Sequence, residues 1–511
     1  MRTGRGADRK PDARRPLSRV IRASLPALVA GAALLTAAAP AAGWVGPLRI
    51  DSHRSLAAQF GYRPAYECNL PSFDARNRPV IRSRTASQDE TEYAFAMDRG
   101  RFRRSSLLDA LRRAYPGFRR TVNAGGWAGE SIESDARGRL YTLIQIERSD
   151  RTLRNVLLYS VDRGARWRLV TLPGAPPRRS ADGRNDGTCA TEHLVGWDLR
   201  DEPPLVAFWR PVADWPGERA ALMELYVSQP RFDGDRLVLG DPVLVTDRSL
   251  GLIQAAGGAS FAATVGTTTW ITYAEVAPSG EGACPTYVVA YDQTTGTLGE
   301  PQLVARARPP NDDHTTPGIV ADGSGVLHVL SGGHNTPFMY AHTAASVETT
   351  GTATLPDWSR PEPILRSGFV TPNTDADGSG RQTYVSLVCL PDDTLVVAFR
   401  QWRAGVDAAF RGDPYDVLCV QWLRPGEEWS DPLRVAYSTT HAGYCQYYQK
   451  LTVDRLGRLY LSFNYFKPQD WPRRHRAENR YHLRMILTSA DGGRSWRFAT
   501  LADFRDGVLP E

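Results

Sequence analysis

The sequence predicts an all-β chain, a seven-bladed β-propeller, and three observations carry that reading. A short turn signal recurs along the 511 residues at Asp74, Asp135, Asp201, Val265, Asp322, Asp392 and Asp454, with spacings of 57 to 70 residues. Each turn lies between short β-rich runs such as Leu395-Val-Val-Ala-Phe and Leu459-Tyr-Leu-Ser-Phe. Two stretches, Ser160-Val-Asp-Arg-Gly-Ala-Arg-Trp167 and Ser489-Ala-Asp-Gly-Gly-Arg-Ser-Trp496, fit one pattern, S-x-D-x-G-x-x-W. A repeat near sixty residues with several strands per unit implies radial packing, because one unit alone cannot bury both faces of its sheet. Amphipathic helical patterns are nearly absent, and Ser105–Tyr115 is the one good candidate.

In chain order, residues 1–22 hold eight Lys/Arg and two Asp, and the apolar, Ala-rich run Leu25 to Ala42 follows. That order reads as a secretory signal peptide over 1–43, too short and too rich in alanine for a retained membrane anchor. The expectation is a secreted or periplasmic protein whose single propeller domain fills 44–511. Arg14-Arg15-Pro16-Leu17 is faintly similar to a twin-arginine export signal. The leader's charge of +6 equals the formal +6 of the whole chain. The remainder is near neutral, so the basic balance argues against a nucleic-acid partner. A monomer is expected. Six cysteines (Cys68, Cys189, Cys284, Cys389, Cys419, Cys445) match no zinc spacing. In an exported protein they suggest one or two disulfides plus buried thiols. His441 and Cys445 are spaced to contribute to a metal site, which is otherwise not called for.

The units then take their places. In the S-x-D-x-G-x-x-W segments the aspartate can cap its own turn's amides, glycine permits positive φ, and tryptophan wedges between strands. These two segments match the Asp-box (BNR) motif of sialidase-like propellers, a mark of fold that sits at the blade periphery. Eight residues before each turn, one rim position recurs as Tyr66, Trp127, His193, His314, Tyr384 and Gln446, with Gln254 and Tyr447 nearby. Stacking rings and polar hydrogen-bonders in that number suggest a sugar pocket. The same register puts Glu275, His334, Arg400 and Tyr465 on the neighbouring strands.

The unit at 311–342 carries the most chemistry. Its two strands meet at Asp322-Gly-Ser-Gly325, and folding them back brings His314 and His334, 20 residues apart, to one end, with an Asp and Asn335 adjacent. Such a rim can do acid–base work.

The run Asp-Asp-His-x-x-Pro…Gly-Gly-His-Asn-x-Pro, followed by Tyr384 and Arg400 one unit later, resembles the BNR-4 propellers, including the ulvan lyases. The likeness covers roughly 311–465. It implies that His314 and His334 match a catalytic histidine pair, Tyr384 a catalytic tyrosine and Arg400 a carboxylate-binding arginine. A further tyrosine falls at Tyr444 or Tyr447. One departure stands: four units precede the histidine pair here, whereas in those lyases it comes early in the mature chain. A related group resembling rhamnose–glucuronate lyases is the neighbouring possibility.

The resemblance implies a polysaccharide lyase acting by β-elimination on an anionic, uronate-bearing chain, with Trp127, His193, Asn335 and Tyr444 or Tyr447 around the substrate. That chemistry requires no cofactor, and a structural metal ion is left open. Unperturbed histidine titrates near 6.5 and tyrosine near 10, so His314 suits a base, and Tyr384 an acid or, with Arg400 beside it, a base. Two rival readings remain. A sialidase-like hydrolase would need an Arg-Ile-Pro signature, for which Val80-Ile-Arg82 is a poor substitute. A non-catalytic glycan-binding propeller would keep the rim but not need His314, Tyr384 and Arg400 together.

Overall fold

Seven antiparallel sheets follow one another along the chain and form the blades of a β-propeller. The computed structural model describes residues 48–49, 70–85, 91–122, 131–172, 178–179, 189–195, 199–211, 222–250, 260–312, 314–347, 355–365, 382–403, 415–437, 446–465 and 483–510. All lie in the compact unit Trp44–Glu511. The blades occupy 72–106, 133–171, 189–250, 262–307, 318–363, 382–437 and 446–498. In each, the first strand in sequence is innermost and three more step outward; in blade 3 a separate two-stranded hairpin over 230–239 comes between the third and the fourth.

Each of the seven turn signals joins the first strand of its blade to the second. The aspartates explain why. Asp135 Oδ1 accepts the Arg139 amide at 2.9 Å, Asp322 Oδ1 that of Val326 at 2.9 Å and Asp454 Oδ1 that of Arg458 at 2.9 Å. The carboxylate thus satisfies backbone donors that the tight turn leaves over.

The two Asp-boxes join third to fourth strands in blades 2 and 7. Ser160 Oγ and Asp162 Oδ1 accept the amides of Gly164 and Arg166 at 2.7 and 2.8 Å. Ser489 and Asp491 repeat this on Gly493 and Ser495 at 3.0 and 2.9 Å. Trp167 and Trp496 are buried between blades.

Packing between blades is apolar and continuous. Hydrophobic clusters fill every gap, from Ile144 and Ala94 between blades 1 and 2 to Leu461 and Val396 between blades 6 and 7, and the gap between blades 3 and 4 holds two. The last gap, between blades 7 and 1, is filled by Phe73, Ile81, Tyr460, Ile486 and Phe504. The ring therefore closes by side chains rather than by a shared sheet. Buried Asn77 donates to Asp454 Oδ2 at 3.0 Å and accepts the Arg455 amide at 2.8 Å across that seam.

Leu107–Ala114 is helical, as the 105–115 pattern predicts, and Ser106 caps it by accepting the Asp109 amide at 3.1 Å. A second helix, Leu501–Asp506, was not expected from the sequence; it seats Phe504 over the seam. Leu48–Arg49 adds a parallel strand outside blade 6. Among the described residues no disulfide joins Cys189, Cys284, Cys389 or Cys419, which are buried thiols. Cys68, Cys445 and His441 lie outside the described residues, as does the predicted signal peptide. No helix among the described residues is long and apolar enough to cross a membrane.

Candidate functional site

The site begins with a loop that precedes the first strand of blade 5. Asn311, at φ 53°, is tied to blade 4 by accepting the Ala277 amide at 2.8 Å. Next to it, Asp312 turns the chain on itself. Its Oδ1 accepts the His314 amide at 2.9 Å and its carbonyl accepts the Thr315 amide at 3.0 Å. The same Oδ1 accepts from His314 Nδ1 at 2.6 Å, and Oδ2 accepts from His334 Nδ1 at 2.8 Å. One carboxylate, 3% exposed, therefore bridges both histidines.

His334 reaches this point from the end of the second strand of blade 5. Gly332 makes the approach feasible: a Cβ there would lie 2.2 Å from the Thr316 carbonyl oxygen. Only glycine lets the His334 loop press so closely on the His314 loop. The His334 amide donates to the Arg308 carbonyl at 3.1 Å, and an antiparallel bridge to Thr383 ties the loop to blade 6. The imidazoles stack with centroids 4.2 Å apart. Asn335 donates its amide to Thr383 Oγ1 at 3.0 Å, which places it in the same cluster.

Blade 6 contributes Tyr384 and Arg400. Between Thr383 and Ser386 the first strand carries one residue more than its partner, so it bulges, and Tyr384 adopts φ 66°. Such a conformation costs of order 1–3 kcal/mol in a non-glycine residue and persists only where neighbours hold it. Gln449 of blade 7 does so, donating to the Tyr384 and Thr383 carbonyls at 2.5 and 3.2 Å. The bulge turns the Tyr384 ring toward His314, centroids 5.4 Å apart, and the Arg400 guanidinium carbon lies 4.7 Å from the ring's centre.

Burial orders the four. The side chains of His314 and His334 are 23% and 26% exposed, whereas Tyr384 and Arg400 are 4% and 2% exposed. The histidines face the opening, Tyr384 stands behind them and Arg400 lies against the tyrosine. Arg400 is thus a cation stacked on Tyr384 rather than an open carboxylate clamp.

Electrostatics fix the protons. Burial would raise the Asp312 carboxyl, but hydrogen bonds from His314 and His334 outweigh it and hold the group far below the usual carboxylate range. An ionised carboxylate only accepts, so each Nδ1 carries the hydrogen and each Nε2 carries the lone pair. Two stacked imidazoles that present Nε2 lone pairs beside a tyrosine ring can take a proton from one atom and return one to another. Asp312, His314 and His334 also place their ligand atoms within 4.8 Å of one another, a three-donor set that suits a divalent ion.

His193 does not join this cluster. It follows its innermost strand, Cys189–Thr191, instead of preceding it, and the pairing of Glu192 with Leu205 shows that the turn begins well before Asp201. Counting back from Asp201 therefore stops short of the rim. His193 Nδ1 meets buried Glu133 at 2.9 Å, and its amide donates to Ser260 at 3.2 Å. Glu275, expected in the second ring, accepts from Thr246 Oγ1 at 2.6 Å. Trp127, Tyr66, Gln254 and Tyr444 lie outside the described residues. Tyr447 begins the first strand of blade 7 beside Gln446, and the side chains of Gln446, Tyr447 and Tyr465 are outside the description.

Sequence reasoning gave the bridging role to no particular aspartate and passed over Gln449. The Asp-x-His spacing of 312 and 314 was the signal for the first; nothing local signals the second. A cavity of about 1370 Å³ lies at the turn end of blades 5 and 6, lined by Asp322, His328, Tyr340, Asp393 and Trp429. It is a separate feature from the histidine pair.

Residues 280–503 match the model of the BNR repeat-containing family. The BNR segment spans blades 5 to 7 and every residue of the cluster. No curated protein matches the chain. Among solved structures, a Trypanosoma rangeli sialidase in complex with sialic acid is 11% identical, with a TM-score of 0.38 over 78% of this chain and 57% of that one. A Dyadobacter fermentans protein of unknown function is 13% identical, with a TM-score of 0.38 over 68% and 95%. The α-L-arabinofuranosidase of Fusarium graminearum is 11% identical, with a TM-score of 0.34 over 73% and 93%. The chain spans little more than half the length of the first of these.

Proposed function

We propose that the protein is a secreted polysaccharide lyase that cleaves a uronate-containing, ulvan-like chain by β-elimination. One observation carries this reading: a stacked histidine pair, held in one tautomer by Asp312, opens beside a tyrosine backed by an arginine. β-Elimination removes the proton on C5 of the uronate and expels the oxygen on C4. It needs a base, an acid and positive potential for the enolate-like intermediate. His314 Nε2 takes the C5 proton, with Asp312 stabilising the imidazolium that forms. Tyr384 returns a proton to the C4 oxygen, and His334 orients the carboxylate. Arg400 supplies a fixed positive charge behind the tyrosine. Proton transfer of this kind contributes about 10²–10⁴-fold, and the electrostatic part is usually larger.

The test is a panel of ulvan, glucuronan-type and arabinogalactan chains followed by ultraviolet absorbance of the new double bond. Tyr384→Phe keeps the ring and removes the hydroxyl. It should lower turnover by at least about 10² while sparing binding. Reducing sugar released without new absorbance would replace this reading with a sialidase-like hydrolase. Binding without turnover, unchanged in Tyr384→Phe, would replace it with a glycan-binding propeller.

A further inference from the structure

The second strand of every blade runs from its hairpin turn toward the opposite end of the ring. In blade 5 it delivers His334, and in blade 6 it carries Arg400. In blade 2 the same strand, Leu140–Arg148, ends in a group of arginines. Glu147, whose side chain is wholly buried, pairs with three of them. Its Oε1 takes Arg119 and, at 3.0 Å, Arg151, while Oε2 takes Arg120 at 2.6 Å. The three side chains remain 39%, 58% and 56% exposed. Burial would raise the Glu147 carboxyl, but hydrogen bonds from Arg120, Arg151 and Arg119 outweigh it and hold the group below its ordinary value. One negative charge thus positions three positive ones, leaving two in excess. Arg148 adds a fourth, matched by Asp150 at 3.4 Å.

Position gives the group its meaning. In a seven-membered ring, blade 2 stands three blades from blade 5 one way and three from blade 6 the other. The arginines therefore lie diametrically across the ring from the histidine pair, on the same face. We propose that Arg119, Arg120 and Arg151 form a distal subsite that binds carboxylate or sulfate groups of an anionic polysaccharide lying across this face. The proposal rests on the uronate-lyase reading for the substrate's charge, though not for its cleavage. Guanidinium forks suit both anions, and each arginine here spends only part of its donors on Glu147. A polymer long enough to touch both ends gains from both contacts, since the second becomes intramolecular. A short oligosaccharide gains nothing.

Removing the arginines alone would strand a buried carboxylate, so the test variant is Arg119→Gln/Arg120→Gln/Arg151→Gln/Glu147→Gln, its folding checked by circular dichroism. The probe is polyglucuronate, titrated calorimetrically at two salt concentrations, with glucuronate monomer and neutral arabinan as controls. Polymer affinity should fall at least about tenfold with most of its salt dependence, while monomer binding stays unchanged. Glu147→Gln alone keeps the arginines and removes the negative charge; it should bind polymer at least as tightly as the parent. A folded quadruple variant with parental affinity and salt dependence overturns the subsite, as does a parent that binds duplex DNA as tightly as polyglucuronate. If polymer binding falls as expected but no uronate polymer is cleaved by the parent, the subsite stands and the lyase reading falls. Unaltered polymer binding with active cleavage gives the reverse.

Discussion

Replacing Asp312 with asparagine separates charge from shape at the centre of the site. Its Oδ1 accepts the His314 amide at 2.9 Å, which fixes the carbonyl oxygen of the new side chain on that side. The new NH₂ must then face His334 Nδ1, which Oδ2 meets at 2.8 Å in the parent. Two donors cannot share one hydrogen bond, so His334 must move its proton to Nε2 and its lone pair to Nδ1. His314 keeps its tautomer but loses the anion beside its imidazolium. Two unit charges about 4 Å apart interact by about 4 kcal/mol at an effective dielectric of 20, about three decades in rate at 1.36 kcal/mol each. Some of that charge remains screened by solvent at the opening, so a fall in kcat between about 10² and 10³ is expected. The assay is initial-rate absorbance across pH, with nitrogen-15 chemical shifts of the imidazoles reporting tautomers. A variant within about threefold of the parent in kcat, or one whose His334 Nε2 stays unprotonated, would refute the reasoning.

Gly332→Ala should displace the His334 loop, because its Cβ cannot sit 2.2 Å from a carbonyl oxygen; a cost of about 1–3 kcal/mol and loss of turnover are expected, read by thermal unfolding and absorbance. Asp491→Ala removes the acceptor of the Ser495 amide at the blade 7 edge. It should cost about 1 kcal/mol in urea unfolding and leave kcat unchanged. Asp322, which burial alone would raise, is lowered to about 2 by hydrogen bonds from His328, Ser324 and Val326. Its depressed carboxyl contributes about 2 kcal/mol above pH 4, lost as pH falls toward 2, so the urea midpoint of Asp322→Asn should depend less on acid than the parent's. Zn²⁺ should inhibit by occupying Asp312, His314 and His334, and EDTA should reverse the inhibition.

The fold was legible because its signals are local. An aspartate that caps its own turn, a glycine at positive φ and an S-x-D-x-G-x-x-W segment act within a few residues, so their spacing along the chain survives as blade spacing. The histidine pair was legible for the same reason, since a tight hairpin returns 334 to 314. His193 was misplaced because the loop between Glu192 and Leu205 is longer than the turns elsewhere, and a fixed count assumes equal turns. Arg400 was placed near the right neighbours, but its burial depends on how blade 6 packs, which no spacing records. Gln449 could not be foreseen: it acts across a blade boundary on the backbone of a bulge, through two carbonyls that any residue would supply.

The closure of the ring by Asn77 and Asp454 has a consequence for cooperativity. Blades packed only on their neighbours form a quasi-one-dimensional array, and an open array unravels from whichever end is weaker. Fastening the first member to the last leaves no end from which to begin. Seven modest interfaces then share one fate, and the joint between blades 5 and 6, where the histidines meet Tyr384, inherits the persistence of the whole circle rather than that of two sheets.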